Sequence, residues 1–237
     1  MASIKDAFDE TLQDEHALAK YITLAIPLFL CTRFLTNINE IGYFLPTFLF
    51  TAILFIGFAL KCTTNVRASK NVILPPFIAF PSLLWYGILG IIALAPLIII
   101  AYALEFFITG FLDKTITDPA TLQVFIVITT ALCNSIAYTG YLLYARNLRV
   151  SDVYNPKVIG TYCADILIAV IFMKIKLFIV DCIILAPVLY MIWLFFGLPH
   201  PIAVFYCCMV IVFNIAIMAH YMAQIDYETI REDDENI

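Results

Sequence analysis

A chain of 237 residues that is 63% hydrophobic and 13% charged, with a mean hydropathy of +0.98, lies far from the about 45–50% apolar and about 25% charged of soluble domains. That composition excludes an ordinary soluble domain and implies an all-α polytopic membrane protein. The net charge of −5 is laid out unevenly, with acids in the first fifteen and last dozen residues and most bases in two short loops, which argues against nucleic acid as a partner.

Residues 1–20 place Ile4, Phe8 and Leu12, with Ala7 and Leu18 near them, on one helical stripe and Asp6, Asp9, Glu10 and Asp14 opposite. This predicts a cytosolic amphipathic helix. Anionic headgroups repel its acidic face, so it is expected to pack on protein, its own or a partner's. The leading residues are acidic rather than basic and no small-residue cleavage site follows, so the first span is itself the expected targeting signal.

Six apolar runs predict a transmembrane domain over residues 21–220: Tyr21–Leu35, Tyr43–Leu60, Leu84–Ile108, Leu122–Tyr144, Leu177–Phe196 and Ile202–Ala219. Crossing about 30 Å of hydrocarbon takes about 20 residues, so the first run, with Pro27 inside it, is short and is expected to be kinked or oblique. Eleven of the thirteen Lys and Arg fall on one side, against Arg33 and Lys114 on the other. The bias places both termini in the cytosol.

Two of the cytosolic stretches are too apolar for free loop and too interrupted for a span. They are Leu74-Pro75-Pro76-Phe77-Ile78-Ala79-Phe80-Pro81 and Val158 to Ile175, the second punctuated by Asp165 and Lys174 and followed by Lys176. Both read as amphipathic interfacial segments along the headgroups. One continuous helix from about 160 to 197 is the competing reading. The acidic tail, 221–237, is expected to be disordered unless a partner holds it.

A shortened grammar repeats along the chain. Gly57, Asn65, Arg67 and Pro96 in the first copy answer to Gly140, Asn147, Arg149 and Pro187 in the second. The glycines are offset by 83 and the prolines by 91, so the second copy holds eight extra residues, in its polar loop, where insertions are tolerated. With the topology above, this is a parallel duplication of a two-span unit, about 43–108 and 122–196. The expected fold is a bundle of about six transmembrane helices built on that repeat.

Ionisable and amide residues inside spans are the candidate intramembrane polar site: Asp181, Asn134, Asn214 and Glu105. Glu105 lies one turn from the outer end of its span, so a structural or snorkelling role comes first. Asp181 follows Lys174 by seven residues on the same face and matches Gly90 of the other copy. An ion pair with a nearby base comes before an ion-coupling role there. Asn134 and Asn214 are expected to bond to other helices, with pore lining as the alternative. Around Asn134, the small residues Ala131, Cys133, Ser135, Ala137, Thr139 and Gly140 favour close helix packing over a wide channel. Pro96 and Pro187 are expected to be paired structural kinks.

Asn65, Arg67, Asn147 and Arg149 lie just past helix ends and are candidate contacts to lipid headgroups. Positive-inside anchoring and capping explain them more simply. Seven cysteines with no C-x-x-C spacing read as small buried hydrophobes. His16, His200 and His220 fall in separate regions, and no zincin, nucleophile-elbow, P-loop or dinucleotide motif is present. No catalytic residue, cofactor or metal is therefore expected.

Gly57-Phe58-Ala59-Leu60-Lys61, Asn65-Val66, Leu74-Pro75-x-Phe77 and Gly87 resemble the pattern G-Y-L-x-R, N-V, L-P-x-F and a following Gly of a prokaryotic membrane-protein family, domain-of-unknown-function family 4013. The ending Ala219-His220-Tyr221-Met222-Ala223-Gln224 is similar to that family's A-H-x-x-G-Q, with Ala223 in place of Gly. Tyr86 replaces its usual acidic residue, a second departure. The resemblance implies a six-helix bundle in a prokaryotic inner membrane and carries no catalytic residues.

The expected function is a non-catalytic integral membrane subunit or scaffold, with membrane lipids and a membrane-protein partner or further copies of itself around it. A small transporter or channel between the repeats is the first alternative. A lipid-headgroup binding protein is the second.

Overall fold

The computed structural model describes residues 3–70, 72–197 and 200–235, and the side chains of all of these except 38, 78, 147, 152 and 227–235. Every regular element among them is helical: α1 (Ile4–Leu12), α2 (Ala17–Thr36), α3 (Phe44–Arg67), α4 (Phe80–Thr115), α5 (Pro119–Asn147), α6 (Val150–Val153), α7 (Pro156–Phe196) and α8 (Pro201–Glu235), with short 3-10 turns at Ile38–Tyr43 and Phe77–Ala79.

Among the described residues, five stretches are long and apolar enough to cross a membrane: Ala17–Thr36, Asn39–Arg67, Phe80–Thr115, Pro119–Arg146 and Pro201–Asp226. That is what an integral membrane protein requires. The expected sixth run, Leu177–Phe196, is helical but lies within the 41-residue α7 and is not one of the five.

Three other expectations are corrected. The N-terminal helix does not run through residue 20. It stops at Leu12, and a new helix starts at Ala17. Residues 158–175 are not a separate interfacial segment; α7 passes through them unbroken, as the competing reading of one helix from about 160 to 197 has it. Charged side chains change where a helix can sit, but its backbone bonds close internally whatever the side chains are. The tail is not an irregular coil up to residue 235, since α8 continues to Glu235. Extending an existing helix adds one bond per residue with no new nucleus to form.

By internal contacts the chain falls into two compact units, Met1–Ile88 with Met173–Glu228, and Leu89–Phe172 with Thr229–Ile237. In the first, α1 begins at Ser3, whose hydroxyl accepts from Asp6 N, and Asp6 itself complements the helix dipole in the first turn. The buried stripe of α1 is Ala7 and Thr11, while Leu12 points outward. Phe8 and Tyr21 meet Phe213 of α8 edge-on, with ring centres 5.3 and 5.4 Å away.

α3 and the first turns of α4 cross at two glycines. A Cβ on Gly57 falls against the Leu83 carbonyl, and one on Gly87 against the Ile53 carbonyl, so the two backbones touch there. After α3, Ser69 turns left-handed at φ 49°. The Asn65 amide then donates to Ile73 O at 2.8 Å, which tethers the loop. Ile73, Leu74 and Pro75 are buried and Phe77 and Phe80 face outward. The first two residues of the expected interfacial segment, Leu74 and Pro75, are therefore buried in the core instead.

In the second unit, α5 opens on Asp118, whose carboxylate accepts from Thr121 N, with Pro119 at the first helical position. It closes on Leu148 in the left-handed region, φ 54°. Gly140 admits the Leu97 side chain of α4. Tyr144, Val153, Ile166 and Val170 are buried, and the Tyr154 hydroxyl donates to Ala93 O at 3.0 Å. α4 and α7 run through Pro96 and Pro187 without interruption.

Candidate functional site

The densest polar assembly joins α1 to α8. Gln224 accepts from Ser3 N through Oε1 at 2.7 Å, which fixes its amide so that Nε2 faces His220 Nδ1 at 3.1 Å and donates to it. His220 Nε2 then carries the proton and donates to Glu10 Oε2 at 2.8 Å. The imidazole is 2% exposed. One side chain orients the next, and both ends of the relay lie on α1. Nearby, Arg67 Nη2 of α3 is 2.7 Å from Asp226 Oδ2 of α8. Thr63 Oγ1 donates to Ala219 O at 3.1 Å. The bonds at Ser3 and Glu10 give the acidic N-terminal helix a partner within its own chain.

Lys20 and Asp14 form an ion pair where α1 turns into α2. Burial pushes the Asp14 carboxyl up, but the Lys20 ammonium and the His16 N–H together outweigh it and hold the carboxyl below its usual 3.8. A depressed carboxylate adds stability above its unfolded value that is lost as pH falls through the folded one. The protein should therefore lose melting temperature on acidification below about pH 4. Asp14→Asn should be less stable than the parent at neutral pH and should flatten that acid limb in a melting series across pH.

The four intramembrane candidates sort into two separate pairs. In the first unit, Asn214 Nδ2 of α8 donates to Asp181 Oδ1 of α7 at 2.6 Å. The partner of Asp181 is thus an amide on another helix and not Lys174. Lys176 instead reaches Tyr221, 3.3 Å from the hydroxyl and 5.2 Å from the ring centre.

In the second unit, Thr130 Oγ1 of α5 donates to Glu105 Oε1 of α4 at 2.6 Å. Asn134 Nδ2 donates to Thr130 O at 2.7 Å, a bond within its own helix rather than to another. Glu105 and Asn134 border a pocket of about 200 Å³ completed by Ile98, Ala101, Tyr102, Cys133, Ala137 and Tyr138. Among the described residues no cation is paired with Glu105.

Of the proposed headgroup contacts, Asn65 is buried and engaged with the loop, and Arg67 is engaged with Asp226. Arg149 is exposed ahead of α6. The Asn147 side chain lies outside the described residues. Among those residues, no three His, Cys, Asp or Glu side chains gather in a way that holds a metal ion.

Two participants escaped the sequence reading. Thr130 sits one turn before Asn134, a spacing that puts both on one helix face. Glu10 is 210 residues from His220, and no local signal links them. The His220 and Gln224 spacing of four was the legible half of that relay. No family model, curated protein or solved structure matches this chain.

Proposed function

We propose that the protein is a non-catalytic integral membrane subunit or scaffold that packs in the bilayer with a larger assembly or with copies of itself. The observation that carries this reading is how little of each span the chain covers. Of the most apolar 18-residue window, 17% of residues are buried in α5, 28% in α2, 33% in α3 and α4, and 44% in α8. Acyl chains and neighbouring helices have to cover the rest. Asp181 meanwhile is bonded to Asn214, which leaves little polar surface in the first unit for transport.

Within this proposal the run Leu177–Phe196 is a sixth span, the Gly57 and Gly140 copies descend from a parallel duplication, and both termini face the cytosol. The likeness to domain-of-unknown-function family 4013 is part of the same reading. Mass measurement and crosslinking in lipid discs test it. The expected particle holds at least two chains of 26.8 kDa or one chain with a stable partner. A lone protomer at every concentration, from native membranes as well as after expression, overturns the proposal.

A further inference from the structure

The pocket beside Glu105 combines features that a purely structural carboxylate does not need. A charged group inside a span is costly, and such groups ordinarily face a partner or a wet cavity. Glu105 has one hydrogen bond, from Thr130, and no paired cation among the described residues. With Nδ2 engaged on Thr130 O, Asn134 keeps its Oδ1 as a second acceptor on the same wall.

Size and lining narrow the class of guest. A space of about 200 Å³ exceeds what one water or one bare metal ion fills, since a cavity needs only about 10–15 Å³ to hold a water. Two phenol rings, Tyr102 and Tyr138, border it together with the aliphatic Ile98, Ala101 and Ala137. Aromatic faces attract alkylated ammonium cations, and aliphatic walls suit their methyl groups. A bare sodium ion draws nothing from the aliphatic walls, which suit an alkylated cation better.

We infer that this pocket binds an ammonium group, with Glu105 as its counter-ion, Asn134 as a second acceptor and Tyr102 and Tyr138 as its aromatic wall. The ammonium belongs either to a soluble amine or to a choline or ethanolamine lipid headgroup. The site stands apart from the subunit reading, because it lies within one unit of a single chain.

The test is a calorimetric titration of the full-length protein with tetramethylammonium chloride, in lipid discs made of phosphatidylglycerol and then of phosphatidylcholine. Saturable binding is expected in phosphatidylglycerol discs. Glu105→Gln should weaken it at least tenfold, and Tyr102→Leu by roughly three- to thirtyfold if the ring contributes as such contacts do. Unchanged melting temperature and elution volume of Tyr102→Leu show that the fold is intact. Weaker binding in phosphatidylcholine discs identifies a lipid headgroup as the guest, and equal binding a soluble amine. Absence of saturable binding, binding indifferent to Glu105→Gln, or sodium chloride competing as well as tetramethylammonium overturns the inference.

Discussion

Gly57→Leu should cost at least about 3 kcal/mol of stability and in many preparations abolish the folded state. Overfilling a packed site usually costs about 1–3 kcal/mol because neighbouring side chains can shift. Here the obstacle is the Leu83 carbonyl of the facing helix, and any side chain, alanine included, has to push two backbones apart. Gly87 meets the Ile53 carbonyl in the same way, so Gly87→Ala should be similarly damaging. Gly110 is the control, since a Cβ there meets nothing within 4 Å. Gly110→Ala should be neutral or stabilising by up to about 1 kcal/mol, the difference in helix propensity. Unfolding curves in mixed micelles separate these outcomes. A Gly57→Leu variant as stable as the parent would mean that α3 and α4 do not cross there.

Arg67→Ala should be the next most harmful change, at about 3 kcal/mol, the low end for a buried ion pair because Arg67 keeps 23% of its side chain exposed. The Asp226 side chain is 3% exposed. Removing the guanidinium takes away one of the groups that meet this carboxylate, in a place where water cannot replace it. The double variant Arg67→Ala with Asp226→Leu should recover much of the loss, since it removes the buried charge along with its partner. A loss under about 0.5 kcal/mol for the single change would reduce the contact to an ordinary surface pair.

The apolar runs were readable before any coordinates, and each lies within a single helix apart from Tyr43, which closes the 3-10 turn ahead of α3. Hydropathy reports where a helix can be solvated by lipid, and backbone bonding then forces the helix. The same signal misplaced boundaries in α7, because Asp165, Lys174 and Lys176 lower hydropathy without weakening a helical backbone. It also assigned Leu12 to the buried stripe, where Thr11 is found, since the surface that α1 meets is decided by Phe213 and His220 far along the chain.

The polar sites were half legible. Asp181, Asn214, Glu105 and Asn134 announced themselves as costly residues in greasy surroundings. Their partners did not, because periodicity says which face a residue occupies and nothing about which helix arrives there. Lys174 was the neighbour in sequence, yet Asn214, 33 residues away, was the neighbour in space.

At about 1.5 Å per residue, the 41 residues of α7 follow a helical path of about 60 Å. In the proposed arrangement, with Leu177–Phe196 as a sixth span, about 20 residues suffice to cross an oil layer of about 30 Å. About half of α7, residues 156–176, is then left over. The end carrying Lys157, Asp165, Lys174 and Lys176 is the one fitted to emerge. Ile168 and Phe172 on that same end are 64% and 54% exposed. Stripping lipid and neighbours from this emergent length should make it the first part of the purified protein to turn adhesive.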